Sequence, residues 1–105
     1  MLTTLFDRTN EGFLRNPEQW CWNYTLQVAA ERSILLDDEK IRLIHLVRAF
    51  HAQFGHGPSM RPLIRFAREQ LGISYDSIRL TLLFPDRPTY LLAMLAGIPK
   101  PPHCL

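Results

Sequence analysis

The sequence predicts a mostly α (α+β) fold, a compact bundle of about five helices with a small N-terminal β-hairpin or meander and a flexible C-terminal arm. Three observations lead there. From Asn16 onward apolar residues recur at helical spacing rather than alternating. Most of these runs open on a capping-type residue and close on glycine or proline. The stretch Pro99-Lys100-Pro101-Pro102 cannot continue a helix, because proline lacks the N–H and clashes with the preceding turn. At 105 residues, 47% hydrophobic and 21% charged, the chain reads as one globular domain rather than a disordered segment.

Taken in order, Thr3-Thr4-Leu5-Phe6 and Gly12-Phe13-Leu14 flank a polar turn at Asp7-Arg8-Thr9-Asn10, which predicts the short hairpin. Asn16 caps the first helix, with Pro17 at its first position and Glu18 at the positive end of the dipole. Trp20, Tyr24 and Val28 form its apolar stripe, and Cys21 falls on the same face. Asp37 caps the second helix, whose stripe is Leu43, Val47, Phe50 and Phe54, ending at Gly55-His56-Gly57-Pro58. The third opens near Ser59, with Met60, Ile64, Ala67 and Leu71 as its stripe and Gly72 as its stop. Ser74 caps a fourth through Ile78, Leu82 and Leu83, broken at Phe84-Pro85, and a short fifth runs from about Pro88 to Leu95 before Gly97. The division that follows is a helical domain over 1–96 and an arm over 97–105.

Composition narrows the function. A formal net charge of +2 is weak for a phosphate-driven nucleic-acid binder, although ten arginines against two lysines make local arginine clusters worth inspecting. No apolar run approaches the roughly 20 residues needed to cross a bilayer, and the N-terminus lacks a basic and then long apolar leader, so a cytosolic protein with no membrane partner is expected. Two cysteines are too few for a disulfide scaffold, and a reducing compartment keeps them as thiols.

The arm is chemically distinct. Its prolines favour the extended polyproline II form, in which the seven steps from Gly97 to Cys104 span roughly 20 Å at about 3.1 Å each. A thiol one residue from the end of a stiffened tether is suited to entering a partner's cleft at low entropic cost. The alternative is an inert terminal cysteine, against which stands the oxidative liability of a displayed thiol.

Leu83-Phe84-Pro85, then Ala96-Gly97-Ile98-Pro99-Lys100-Pro101 leading to Cys104, resembles the C-terminal signature of the TusE/DsrC/DsvC family of sulfur-relay proteins. Glu11-Gly12-Phe13-Leu14 followed by Trp20 is similar to the family's N-terminal block, and Val47-Arg48-Ala49-Phe50 and Pro58-Ser59-Met60-Arg61 are similar to its middle. The resemblance implies a helical domain with a small β-meander and a mobile arm whose cysteine carries sulfane sulfur as a persulfide. It implies a donor complex of TusBCD type and an MnmA-type tRNA thiouridylase, with its bound tRNA, as partners in 2-thiolation of wobble uridine. The relay then makes the chain a sulfurtransferase in the broad sense, with no self-contained active site and no cofactor. DsrC-type members carry a second arm cysteine eleven residues upstream, where this sequence has Ala93, so the single-cysteine TusE type is favoured. The sequence departs from the family pattern at Arg87-Pro88-Thr89-Tyr90, at Arg79-Leu80-Thr81 and at Ile41.

The chemistry needs the Cys104 thiolate, a small fraction of an ordinary thiol with a pKa near 8.5 at neutral pH. Neighbouring side chains on an extended chain point apart, so His103 is not expected to activate Cys104 strongly, while Lys100 is expected to assist modestly and the carboxylate on Leu105 to oppose ionisation. Activation is therefore expected from the partner or from basic residues that the arm meets. Arg61, Arg65 and Arg68 share one helical face, either as a solvated surface or as a site for an acidic partner or RNA phosphates. Arg48 and Arg61 match family positions and are expected to contact the arm or a partner. Cys21 is expected to be a buried structural thiol, with a disulfide to Cys104 as the lesser alternative. His45, His51 and His56 lack the spacing of a helical metal pair, so no metal site is expected. Two other functions stay open: a helix-turn-helix-like DNA-binding regulator reading with Arg61, Arg65 and Arg68, and a DsrC-like docking protein whose arm plugs an oxidoreductase complex without transferring sulfur.

Overall fold

The structure is a computed structural model that describes residues 6–72 and 74–102. Its helices are α1 (Trp22–Glu31), α2 (Asp38–Phe54), α3 (Met60–Leu71), α4 (Ser77–Leu83) and α5 (Pro88–Ala96). The mostly helical class and the five helices agree with the sequence reading. None of the described helices is long and apolar enough to cross a membrane.

α5 is the axis of the bundle. Its sequence, Pro-Thr-Tyr-Leu-Leu-Ala-Met-Leu-Ala, is apolar nearly all round, as suits a helix with neighbours on several sides. α1, α2 and α4 all pack on it, and α3 packs on the outer side of α2. Tyr24 and Val28 from α1, Leu43 and Val47 from α2, Leu63 from α3, Leu80 from α4 and Leu92 and Leu95 from α5 belong to one core. Each such side chain contributes roughly 1.5–3 kcal/mol by leaving water.

The start and stop signals explain most boundaries. The Asp37 carboxylate accepts from the Lys40 N–H at 2.9 Å, and Asp76 accepts from the Arg79 N–H at 2.8 Å. Gly55, Gly72 and Gly97 end α2, α3 and α5 in the left-handed region. Pro88 opens α5 at a position where its missing N–H costs nothing.

Four expectations need correction. The first helix does not run unbroken from Asn16: Asn16 caps a 3-10 turn at Pro17–Gln19, the chain extends at Trp20 and Cys21, and α1 begins at Trp22. That break changes the phase of the wheel, so Cys21 is exposed at the N-cap of α1 rather than buried on its apolar face. In α4 the cap is Asp76 rather than Ser74, which turns Leu80 inward and leaves Ile78 and Leu82 70% and 71% exposed. In α3 the buried set is Leu63, Phe66 and Ala67, while Met60, Ile64 and Leu71 are half-buried.

At the N-terminus residues 1–5 lie outside the described residues, and the expected first strand falls largely on them. What is described is a tight loop. Arg8 pairs with Leu14 in an isolated antiparallel bridge, and the Thr9 N–H donates to the Phe13 carbonyl at 2.7 Å. The turn is Thr9–Gly12, two residues later than expected, and Gly12 takes the left-handed corner at φ +102°.

Candidate functional site at the root of the C-terminal arm

The last turn of α5 sets where the arm leaves the domain. A helix end leaves four carbonyls without helical partners, and here all four are taken. The Ile98 N–H donates to Ala93 at 3.1 Å and the Gly97 N–H to Met94 at 3.3 Å, the paired bonds of a Schellman stop. The Tyr24 hydroxyl donates to the Met94 carbonyl and the Thr25 hydroxyl to the Leu95 carbonyl, each at 2.7 Å. Arg48 Nη1 donates to the Ala96 carbonyl, also at 2.7 Å. Two residues of α1 and one of α2 thus hold the end of α5 carbonyl by carbonyl.

Trp20 links these groups. Its indole N–H donates to Thr25 Oγ1 at 2.8 Å, and the Arg48 guanidinium lies over its ring at 3.9 Å from the centroid. A cation at a helix C-terminus is favoured by the dipole, and burial draws the Arg48 pKa below its ordinary value. Gly97, at φ +69°, passes so close to Trp20 that a Cβ there would overlap indole Cδ1. The extended conformation at Trp20, which broke the expected helix, is what lays the indole on the arm's root.

Beyond Gly97 the chain stays on the domain. Ile98 is 1% exposed, and Pro101 is buried. They lie across Gly57 in the α2–α3 turn, where a Cβ would stand 3.0 Å from Ile98 Cδ1 and 3.6 Å from Pro101 Cα. On the other flank Lys100 Nζ is 3.1 Å from the Glu11 carboxylate and 5.5 Å from the Tyr90 ring centroid. A hollow of about 400 Å³ lined by Phe13, Arg32, Arg87, Tyr90 and Met94 adjoins this flank. The span measured from Gly97 therefore does not describe the chain as far as Pro101, which is seated rather than projecting.

The predicted residues fall in three places. Arg48 is at the root, on the Ala96 carbonyl just before Gly97, and Lys100 is in the seated segment, already committed to Glu11. Arg61, Arg65 and Arg68 are exposed on α3 and touch no part of the root in any hydrogen bond or ion pair among the described residues. Cys104 lies outside the described residues. Sequence reasoning missed Tyr24, Thr25 and Gly57. Thr25 alone carried a signal, as a small hydroxyl residue on an otherwise apolar helical face.

Comparison with known proteins decides the family. The family model described as DsrC like protein matches residues 3–105. The chain belongs to the DsrC-like family. Relatives in it include sulfurtransferase TusE of Buchnera aphidicola subsp. Schizaphis graminum, 33% identical over 100 residues that make up 94% of this chain and 88% of that protein. The sulfurtransferase TusE homolog of Haemophilus influenzae is 34% identical over 96 residues, 90% of this chain and 88% of that one. Among solved structures, DsrC of Allochromatium vinosum superimposes with a TM-score of 0.85 at 28% identity, covering 95% of this chain and 90% of that chain. The oxidised γ-subunit of dissimilatory sulfite reductase from Archaeoglobus fulgidus shares the fold with a TM-score of 0.78 at 24% identity, covering 95% and 92%. In this DsrC-like chain Ala93 is fully buried inside α5, under the root of the arm.

Proposed function

We propose that this protein is a sulfur carrier: Cys104 takes sulfane sulfur from a donor protein as a persulfide and hands it to an acceptor. The single observation that supports this most is the construction of the arm's root, which fixes Gly97–Pro101 on the domain and leaves the chain's last cysteine three residues further on. The sulfurtransferase TusE relatives, aligned over nine-tenths of the chain, support the same reading. The Cys104 thiol loses its proton, and the thiolate attacks the outer sulfur of the donor's persulfide. A new S–S bond forms at Cys104 as the donor's S–S bond breaks, and the donor leaves as a thiolate that takes up a proton. Delivery repeats the step with the acceptor's thiolate as attacker, so no external oxidant or reductant is needed. With alanine at position 93, the chain lacks the upstream cysteine with which a DsrC-type arm forms its internal trisulfide.

The proposed pathway is the relay for 2-thiolation of tRNA wobble uridine, with a TusBCD-type donor and an MnmA-type acceptor. Incubating the full chain with a persulfide donor and taking its intact mass tests the carriage step: a gain of one sulfur, absent in Cys104→Ser, is expected, and no gain overturns it. Wobble thiolation of cellular tRNA in a Cys104→Ser strain tests the pathway, and normal thiolation removes the tRNA assignment while leaving carriage intact. The exposed face of Arg61, Arg65 and Arg68 is the one observation favouring a DNA-binding role, and a net charge of +2 weighs against it.

A further inference from the structure

The seated root limits how far the thiol travels. Detaching it would expose the buried Ile98 and Pro101 to water and would break the ion pair of Lys100 with Glu11. From Pro101, three residues place the Cα of Cys104 at most about 11 Å away. Pro101 lies against Gly57, so a partner's reacting sulfur must come down close to the corner between α2 and α3.

That corner carries two features the fold itself does not use. Phe54, the last residue of α2, is 49% exposed although it packs on Phe50 and Phe66, with ring centroids 4.5 and 6.1 Å away. With Pro62 and Arg65 it lines an open groove of about 220 Å³. Beside it Arg61, Arg65 and Arg68 are exposed and meet no carboxylate within ion-pair distance among the described residues. By contrast Arg8, Arg15 and Arg79 each have one.

We propose that the protein exchanging sulfur with Cys104 docks on this corner, through carboxylates that meet Arg61 and Arg65 and an apolar side chain that enters the groove beside Phe54. This rests on the sulfur-carrier reading above and names the surface that reading requires. A protein is the fitting occupant because the exchange needs a second thiol within reach of Pro101. A polyanion held by phosphates would call for a larger basic excess than this chain has, and Glu69 interrupts the stripe. Charges at such a rim act mainly on association rate.

The test uses the full-length chain, a purified TusBCD-type donor complex and inorganic polysulfide as the small-molecule donor. Arg61→Glu/Arg65→Glu is expected to lower kcat/KM for sulfur uptake from the complex by roughly tenfold or more, and Phe54→Ser by a smaller factor. Loading from polysulfide should be unchanged in both, and Arg42→Glu, the same charge reversal on the exposed face of α2, should behave as wild type. Uptake by the double variant at the wild-type rate overturns the docking proposal. Added tRNA that blocks uptake by the wild type but not by the double variant overturns it as well, since the corner would then hold RNA. Failure of the wild type to gain sulfur from either donor strikes the carrier reading instead.

Discussion

α3 and α5 both stop on a glycine in the left-handed conformation, at φ +65° and +69°, and the two ends are built for different purposes. Around Gly72 a Cβ would meet nothing within 4 Å, and among the described residues the stop shows one backbone bond, from the Gly72 N–H to the Arg68 carbonyl. Around Gly97 every terminal carbonyl is taken, three of them by side chains from other helices, and Trp20 fills the space a side chain would need. A helix that merely has to end needs a glycine. A helix whose continuation has to leave in one direction needs the surrounding framework as well.

Replacing the two glycines separates these cases most sharply. Gly72→Ala should cost about 1–2 kcal/mol, the strain of a left-handed alanine. Gly97→Ala should cost about 2–4 kcal/mol, since overlap with Trp20 adds an overpacking penalty. Urea denaturation of both variants measures the gap, and equal losses would mean that Trp20 yields freely. Thr25→Val should follow at about 2 kcal/mol, because an isosteric methyl leaves the buried Leu95 carbonyl and the Trp20 N–H without their shared partner. A near-neutral result would show the hydroxyl to be dispensable. Arg48→Met should cost about 1–2 kcal/mol for one charged hydrogen bond and one cation–π contact. Arg48→Lys should not restore it, since a point charge cannot both stack flat on Trp20 and reach the Ala96 carbonyl.

The smallest effect is on pH dependence. Burial, then Arg48 and His56, hold the His51 pKa below its ordinary value, so the fold favours the neutral ring. The unfolded chain then binds the proton more readily. Stability is full above the unfolded value of about 6.5 and declines as pH falls from there toward the lower folded value. His51→Gln should flatten that decline in denaturation midpoints measured from pH 7.5 to 5, and an unchanged slope would place its origin elsewhere.

Much of this was legible before any coordinates. The aspartate at 37 and the glycines at 55, 72 and 97 punctuate the helices where local chemistry dictates, so their boundaries follow from short-range rules. Cys21 was misplaced because the Pro17–Gln19 turn stops after one turn and the wheel restarts at Trp22. That break is set by where the Trp20 indole packs, which involves Gly97 at the far end of the chain. The same limit hid Gly57: nothing near it in sequence says that Ile98 and Pro101 will lie across it. The prolines keep the chain non-helical after Gly97, but a non-helical segment can be laid on a surface as readily as held away from one. The thiol itself, Cys104, was singled out by its place in the sequence alone.

The hydrogen bonds at Gly97 and Ile98 also bear on how solvent reaches the backbone there. Both amides donate into the last turn of a helix whose neighbours are core residues, so their exchange with deuterated water requires opening of that core. Protection as long-lived as that of Leu92 or Leu95 should then persist past the end of α5 as far as Ile98.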